Sequence, residues 1–131
     1  MKPGSASRGR LSRSAEFERV YRQGRSTANR HLVLYSFARE EGERPRLGLS
    51  VSRKVGGAAA RNHLKRLLRE AFAHASGGLA AGQDVVVVAR PAAAELAERE
   101  GLRGIEQSLD ELIARAKLGA GGDGRAEEPS A

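Results

Sequence analysis

Residues 46–75 read RLGLSVSRKVGGAAARNHLKRLLREAFAHA, and two different periodicities meet in this stretch. In 46–53, apolar residues alternate with small polar ones, which is the pattern of a strand with one buried face. From Ala58 onward the apolar residues recur at the spacing of a helix that packs one face on a core. Gly56–Gly57 lies between the two patterns and predicts a turn. The stretch therefore predicts a strand that leads through a turn into a charged amphipathic helix.

The predicted helix has an apolar face and a basic face. The apolar face consists of Leu64, Leu67, Leu68, Ala71 and Phe72. The basic face carries like charges at four-residue steps, flanked by Asn62 and Arg66, and its central residues are Arg61, Lys65 and Arg69. Like charges at this spacing repel by about 0.2–0.5 kcal/mol per pair, and Glu70 relieves only part of that repulsion. A solvated helix face would interleave acids, so the pattern favours a surface that binds a polyanion.

Two further features support anion binding at this helix. Arg61 and Asn62 lie near its N-terminus, where the helix dipole attracts negative charge. Arg53 and Lys54 come just before it and extend the basic patch. Lys54 and the glycines after it do not form a phosphate-binding loop of the GxxxxGK[ST] type. The hypothesis from these residues alone is therefore binding of a polyanion without nucleotide chemistry.

The positive charge is concentrated in one part of the chain. The 131 residues carry a net charge of +7, and 19 of the 23 basic residues are arginine. Residues 1–75 contribute +11 and residues 76–131 contribute −4. Arginine binds phosphate through a bidentate fork and also stacks on bases, so this composition points towards a polyanion that carries phosphate.

Composition also excludes several classes of site. The chain has no cysteine, which rules out disulfides and cysteine-based zinc sites. No apolar segment is long enough for a membrane span or a signal peptide, so we predict a soluble cytoplasmic protein with no membrane partner. The three histidines are scattered, and no Ser/His/Asp group or acid pair suggests an active site. We predict no catalytic residue and no metal site on this chain.

The remaining sequence predicts a single α+β domain. Residues 1–10 and 118–131 are predicted to be a basic arm and a disordered tail around a domain of residues 11–117. The predicted elements are a helix at 14–23 that stops at Gly24, a possible strand at Arg25–Ala28, strands at His31–Ala38, 46–53 and 84–89, and helices at 58–75 and Leu102–Lys117. Because Asp84–Ala89 contains an unbroken run of valines, it is predicted to be an interior strand buried on both faces.

Aromatic residues are few, and three of them are candidates for a binding surface. Tyr21 and Tyr35 carry hydroxyl groups that prefer contact with water, whereas Phe17 could equally be a core residue. The polar face of the 46–53 strand is small, with Gly48, Ser50 and Ser52, and would let an extended backbone approach closely. Aromatic rings stack on bases of any sequence, so these residues fit a single-stranded nucleic acid.

The same residues resemble the protein subunit of bacterial ribonuclease P. The resemblance covers about Arg10 to Lys117 and is carried by several blocks in the same order. These blocks are Phe17…Tyr21, Ala28-Asn29-Arg30, Val33-Leu34-Tyr35, GLSVSRKVG at 48–56 with Leu47 before it, and Arg61-Asn62…Lys65-Arg66…Arg69-Glu70. The basic helix after GLSVSRKVG is the most specific of them.

The resemblance implies a fold and a function. The implied fold is an α+β sandwich of order α-β-β-(β)-α-β-α, with a mostly antiparallel sheet and a left-handed βαβ crossover, as in the second domain of ribosomal protein S5. Such a crossover departs from the usual right-handed rule. The implied function is to assist a catalytic RNA that removes the 5′ leader from precursor tRNA, with Mg²⁺ held mainly by the RNA. The expected partners are ribonuclease P RNA and precursor tRNA, without a small-molecule cofactor.

The resemblance also assigns residues to two surfaces. Contacts to RNA are expected from Arg53, Lys54, Arg61, Asn62, Lys65, Arg66 and Arg69. A cleft for the single-stranded leader is expected from Phe17, Tyr21, Tyr35 and Ser50. His63 stands where the family usually has arginine, and its wheel position places it towards the core border near Leu67. Its contact should be weaker and more dependent on pH, since histidine titrates near pH 6.5.

Two other functions remain open from the residues alone. One is a general RNA-binding or ribosome-associated protein outside any catalytic complex. The other is a helix-turn-helix DNA-binding module, which is disfavoured because strands, rather than a short turn and a second helix, flank the basic helix.

Overall fold

The computed structural model describes residues 14–39, 44–76, 79 and 82–116. It contains α1 (Ser14–Gln23), β1 (Arg25–Ala28), β2 (Leu32–Ala38), β3 (Arg46–Ser50), α2 (Ala58–Ser76), β4 (Gln83–Ala89) and α3 (Ala92–Ala116). This order confirms the α+β prediction, and the strand at Arg25–Ala28 is present. The predicted basic arm and tail lie outside the described residues.

The four strands form one mixed sheet in the order β1-β2-β4-β3. β2 pairs antiparallel with both β1 and β4, whereas β3 and β4 are parallel neighbours joined through α2. The predicted βαβ crossover is therefore β3-α2-β4, and its left-handedness stays a prediction from the resemblance. β4 lies inside the sheet, and its residues Val85, Val86 and Val87 are buried, as the valine run predicted.

The two faces of the sheet are covered by different helices. On one face, α2 and α3 enclose the main core with the alternate strand residues that point towards them. That core includes Leu32, Leu34, Val85, Val87, Leu64, Leu68, Ile105 and Leu109. On the other face, α1 packs on a small cluster centred on Val20 and Val86. The alternation of Leu32 and Leu34 with Val33 and Tyr35 in β2 thus separates two environments.

Helix α1 ends at a point of close contact with the sheet. The amide of Gly24 donates to the carbonyl of Val20 at 2.9 Å, which completes the last turn. A Cβ at Gly24 would lie 2.3 Å from the carbonyl oxygen of Ser36. Gly24 therefore ends the helix, as predicted, and also allows the backbone to approach β2.

The third helix is longer than the sequence indicated. It begins at Ala92 rather than Leu102, and its two halves meet at Gly101, which has φ 61° and ψ −147°. The first half buries Ala93, Leu96 and Ala97 at helical spacing. Two of these three are alanines, so the apolar face is weak in the sequence. The prediction missed this half, and the positive φ of Gly101 kinks the chain where it meets the second half.

The strand predicted for 46–53 was also wrong at its C-terminal end. β3 ends at Ser50, and a turn follows in which the amide of Val55 donates to the carbonyl of Ser52 at 3.0 Å. The Ser52 hydroxyl also accepts from the amide of Lys54 at 3.3 Å. Serine commonly bonds to the backbone just after it, which ends the strand early. Arg53 and Lys54 therefore lie in a turn before α2 and are exposed.

An ion pair ties α2 to α3. His74 Nδ1 bonds to the carboxylate Oε2 of Glu106. The pKa of His74 is raised above its usual value, mainly by the hydrogen bond to Glu106 and to a lesser extent by the negative charges of Glu106 and Glu70. The contribution of this pair to stability is therefore fully present below the unfolded-state pKa of about 6.5 and is lost as pH rises through the raised folded-state pKa.

We expect the coupling between His74 and Glu106 to depend on pH. In a double-mutant cycle of His74→Ala and Glu106→Gln, urea denaturation should give a coupling free energy at about pH 6 that disappears at high pH, because only the protonated imidazole forms the ion pair. A coupling energy that is constant across this pH range would contradict the ionic interpretation.

Candidate nucleic-acid interface

The exposed side of α2 forms an open, cationic groove. Its volume is about 410 Å³, and it is lined by Ala59, Asn62, His63, Lys65, Arg66 and Arg69. Asn62, Arg66 and Arg69 are exposed, whereas Lys65 is half-buried at the border. Four of the predicted RNA-binding residues thus lie on one surface. Ala59 supplies no bulk, which leaves space beside the basic side chains.

His63 lies in this groove and not at the core border. It is exposed, whereas Leu67, one turn further along, is buried. The helical wheel placed His63 beside the core, and this was wrong. The buried face of α2 is centred on Leu64, Leu68 and Ala71, each 1% exposed, and that centre lies further from His63 than the wheel implied. His63 is therefore placed to face whatever occupies the groove.

Arg61 has a different position from the one predicted. Its Nε donates to the carbonyl of Gly56 at 3.1 Å, and its amide donates to the carbonyl of Gly57 at 2.9 Å. Arg61 is half-buried and is not among the residues that line the groove. The predicted stripe of Arg61, Lys65 and Arg69 is therefore divided, since Arg61 braces the turn that begins α2.

The predicted aromatic residues lie together on the face of the sheet that α1 covers, opposite the face that α2 covers. The rings of Tyr21 and Tyr35 meet edge to face with centroids 4.8 Å apart, and Phe17 lies 6.3 Å from Tyr21. Tyr21 is 39% exposed, whereas Phe17 and Tyr35 are half-buried. The structure thus brings together the three aromatics from α1 and β2. Tyr21 offers the most accessible ring.

On the same face of the sheet as these rings, β3 presents two small residues, Gly48 and Ser50, which form the floor of this surface. The pairing registers align Tyr35 with Val86 and Gly48, and align Val33 with Val88 and Ser50. Paired residues point to the same face of a sheet, so Ser50 lies on the face that α1 partly covers. Gly48, in the same cross-strand row as Tyr35, carries no side chain. The geometry suits an extended chain with flat side groups, such as a single-stranded nucleic acid.

A cationic edge of the sheet was not predicted. Asn29, in the turn between β1 and β2, accepts from the amides of His31 and Leu32 and donates to Ser108 of α3. The Nη1 of Arg90, after β4, donates to the carbonyl of Asn29 at 2.7 Å. This places exposed Arg90 next to exposed Arg30. The sequence signal for this edge was the adjacent pair Asn29 and Arg30 in the turn. Its proximity to Arg90 could not be predicted, because it depends on how the strands pair.

The described residues show neither a metal cluster nor a membrane-spanning helix. No group of three or more His, Asp or Glu side chains among them is arranged to hold a metal ion. No described helix is both long and apolar enough to cross a bilayer. The two surfaces offer cationic side chains, aromatic rings and small polar groups.

Comparison with known proteins identifies the family to which these surfaces belong. The family model described as Ribonuclease P matches residues 6–117. The chain belongs to the ribonuclease P protein family. The ribonuclease P protein component of Brevibacillus brevis is 44% identical over 110 residues, which cover 83% of each chain. That of Shouchella clausii is 42% identical and covers 83% of this chain and 86% of the relative.

Solved structures of ribonuclease P proteins have the same fold. The Staphylococcus aureus protein has a TM-score of 0.75 at 36% identity, covering 84% of this chain and 96% of that one. The Thermotoga maritima protein has a TM-score of 0.71 at 33% identity, covering 79% and 94% respectively. These similarities confirm the ribonuclease P resemblance and the α+β fold class.

Restoring arginine at His63 should strengthen RNA binding in the groove. The His63→Arg variant should steepen the salt dependence of binding to ribonuclease P RNA by about 0.7–0.9 in log–log slope, the value of one added phosphate contact. Filter binding at several salt concentrations measures this effect.

The matched control is His74→Arg, which makes the same substitution on α2 but outside the groove lining. It should change the slope less than His63→Arg. Equal slopes for the two variants would mean that the groove does not face the RNA.

Proposed function

We propose that this protein is the protein component of ribonuclease P and assists removal of the 5′ leader from precursor tRNA through two surfaces. The cationic groove of α2 binds the catalytic RNA, and the aromatic face beside α1 binds the leader. The observation that carries the proposal is the placement of these surfaces on opposite sides of one sheet. A single small domain can then contact two RNA segments at once.

The α2 groove has the properties of a phosphate-binding surface. Lys65, Arg66 and Arg69 supply three cations along one helix, and Asn62 adds an amide that can donate to phosphate oxygens. Ala59 leaves room for a backbone to approach. Arg53 and Lys54, exposed in the preceding turn, would extend the contact, and Arg61 would contribute mainly by fixing that turn. This arrangement supports binding to RNA shape and backbone rather than to base sequence.

The α1 face has the properties of a single-strand site. Tyr21 and Tyr35 offer ring surfaces and hydroxyls, and the floor beside them is lined by Gly48 and Ser50. Stacking tolerates any base, which suits a leader whose sequence differs between tRNA genes. Phe17 is half-buried and packs against the cluster of Val20 and Val86, so it supports the rings more than it offers a free face.

The chemistry of cleavage is assigned to the RNA subunit. The groove is lined by cations, which suits contact with phosphate groups, so in this proposal the protein binds and orients RNA. A general RNA-binding role outside a catalytic complex is not favoured, because the relatives are named as ribonuclease P protein components.

The test is reconstitution with a bacterial ribonuclease P RNA at low Mg²⁺. The purified chain should stimulate cleavage of precursor tRNA. Tyr35→Ala should weaken binding of precursor tRNA to the holoenzyme by about 1–3 kcal/mol, the contribution of one stacked base, and should leave mature tRNA nearly unaffected. Tyr35→Phe is the matched control, and it should retain most of the affinity because it keeps the ring.

Two results would contradict the proposal. One is the absence of stimulation together with unselective RNA binding. The other is an equal loss of affinity for precursor and mature tRNA in Tyr35→Ala, which would remove the leader from this face.

A further inference from the structure

A buried carboxylate with three arginines lies beneath α1. The side chain of Asp84, at the start of β4, is 0% exposed. Arg46 of β3 binds it through two bonds, Nε to Oδ1 at 2.9 Å and Nη2 to Oδ2 at 3.0 Å. Arg39 Nε lies 3.0 Å from Oδ1, and Arg19 Nη2 of α1 lies 3.9 Å from Oδ2. None of the functions assigned above uses this group.

The cluster continues from the sheet into α1. Arg46 Nη1 donates to Glu16 Oε2 at 3.1 Å, so that one guanidinium joins the carboxylate of β4 to a carboxylate of the helix. The hydrogen bond from Arg46 to Asp84 raises the pKa of the guanidinium. Arg19 also lies over the ring of Phe37, 5.5 Å from its centroid. The N-terminal half of α1 is thus connected to the sheet by ionic contacts.

Apolar packing alone leaves the rotation of α1 loosely defined. Within this helix, all of which is described, Val20 is the one buried residue. On a helical projection Val20 lies between two flanks, with Glu16 and Arg19 on one side and Phe17 and Tyr21 on the other. Any rotation about the Val20 contact that releases the charged flank would move the aromatic flank relative to β2.

Ionic contacts are suited to fixing that rotation. A buried ion pair contributes little net stability compared with apolar residues of the same size, because desolvation offsets most of the attraction. A bidentate guanidinium–carboxylate contact nevertheless defines direction as well as distance, since two parallel bonds form only in one orientation. The retention of three arginines around one carboxylate is therefore better explained by orientation than by stability.

We propose that Asp84 is a positioning residue for leader binding, which acts through Arg46 and Glu16 to fix the rotation of α1. In this role it holds Tyr21 against Tyr35, at the 4.8 Å edge-to-face spacing, and so keeps the leader face open beside them. The inference rests on the proposed function, because it assumes that the leader occupies this face.

The test compares two acids of α1 in the reconstituted holoenzyme. Glu16→Ala removes the acid of α1 that Arg46 binds, whereas Glu18→Ala removes an exposed acid that pairs with Arg22 on the same helix. With precursor tRNA carrying a full leader, Glu16→Ala should raise KM by about three- to tenfold with kcat little changed, the size of one lost hydrogen bond of ordinary net strength. With a one-nucleotide leader, KM should be nearly normal. Glu18→Ala should match the unmodified protein on both substrates.

A second measurement uses the free protein. The chain has two tyrosines and no tryptophan, so near-ultraviolet circular dichroism above the phenylalanine bands reports on Tyr21 and Tyr35. Glu16→Ala should change this signal while the far-ultraviolet spectrum stays the same, and Glu18→Ala should change neither. Asp84→Asn should have the same effects in larger degree where it folds, because it releases Arg46, Arg39 and Arg19 together.

The possible failures are distinguishable. If Glu16→Ala behaves as Glu18→Ala does while Tyr35→Ala shows its leader-dependent defect, the leader site stands and the positioning role of Asp84 is wrong. If Glu16→Ala raises KM equally for both leader lengths, its effect is not on the leader and the inference is also wrong. If Tyr35→Ala shows no leader dependence either, the proposed function fails together with the inference.

Discussion

The buried carboxylate of Asp84 is the contact on which the arrangement of α1 depends. It lies in β4, one of the two interior strands, and its bonds to Arg46 and Arg39, with Arg19 close by, bring two strand ends and one helix to a single point. Removing one partner from such a buried cluster leaves uncompensated charge, which typically costs about 3–5 kcal/mol. The sheet would keep its valine core without it, but α1 would lose the contacts that define its orientation.

The central position of β4 explains how so small a protein can present two surfaces. Val85 and Val87 face the core under α2 and α3, whereas Val86 and Val88 face α1. The strand is thus covered on both sides, and each side carries its own helix with its own exposed chemistry. The basic groove and the aromatic rings lie on opposite faces of the sheet, and no described side chain lines both surfaces.

The parts of the fold that the sequence predicted were those with a strong local pattern. The valine run predicted an interior strand, and the spacing of Leu64, Leu68 and Ala71 predicted the buried face of α2. Ala93 and Ala97 are too small to reveal the first half of α3. Ser52 ended β3 early through a side-chain bond that alternation cannot show.

The sequence predicted which residues form the two surfaces better than it predicted where their side chains lie. The groove residues and the aromatic cluster were expected, but Arg61 bonds to the Gly56 carbonyl and His63 faces the groove. Both differences arise because a helical wheel contains no information about the turn before a helix or the exact centre of its buried stripe. The Asp84 cluster could not have been predicted, since Asp84 and Arg46 are 38 residues apart and meet only through the parallel pairing of β3 and β4.

The most direct test of the two-surface account is photocrosslinking from single cysteines in the reconstituted complex with precursor tRNA. The chain has no cysteine, so Ser50→Cys on the α1 face and Ala59→Cys in the α2 groove can each carry one probe at a defined place. The account predicts that the probe at position 50 reacts with the 5′ leader and the probe at position 59 reacts with the catalytic RNA. Crosslinks from both positions to the same RNA segment, or the reverse assignment, would contradict it.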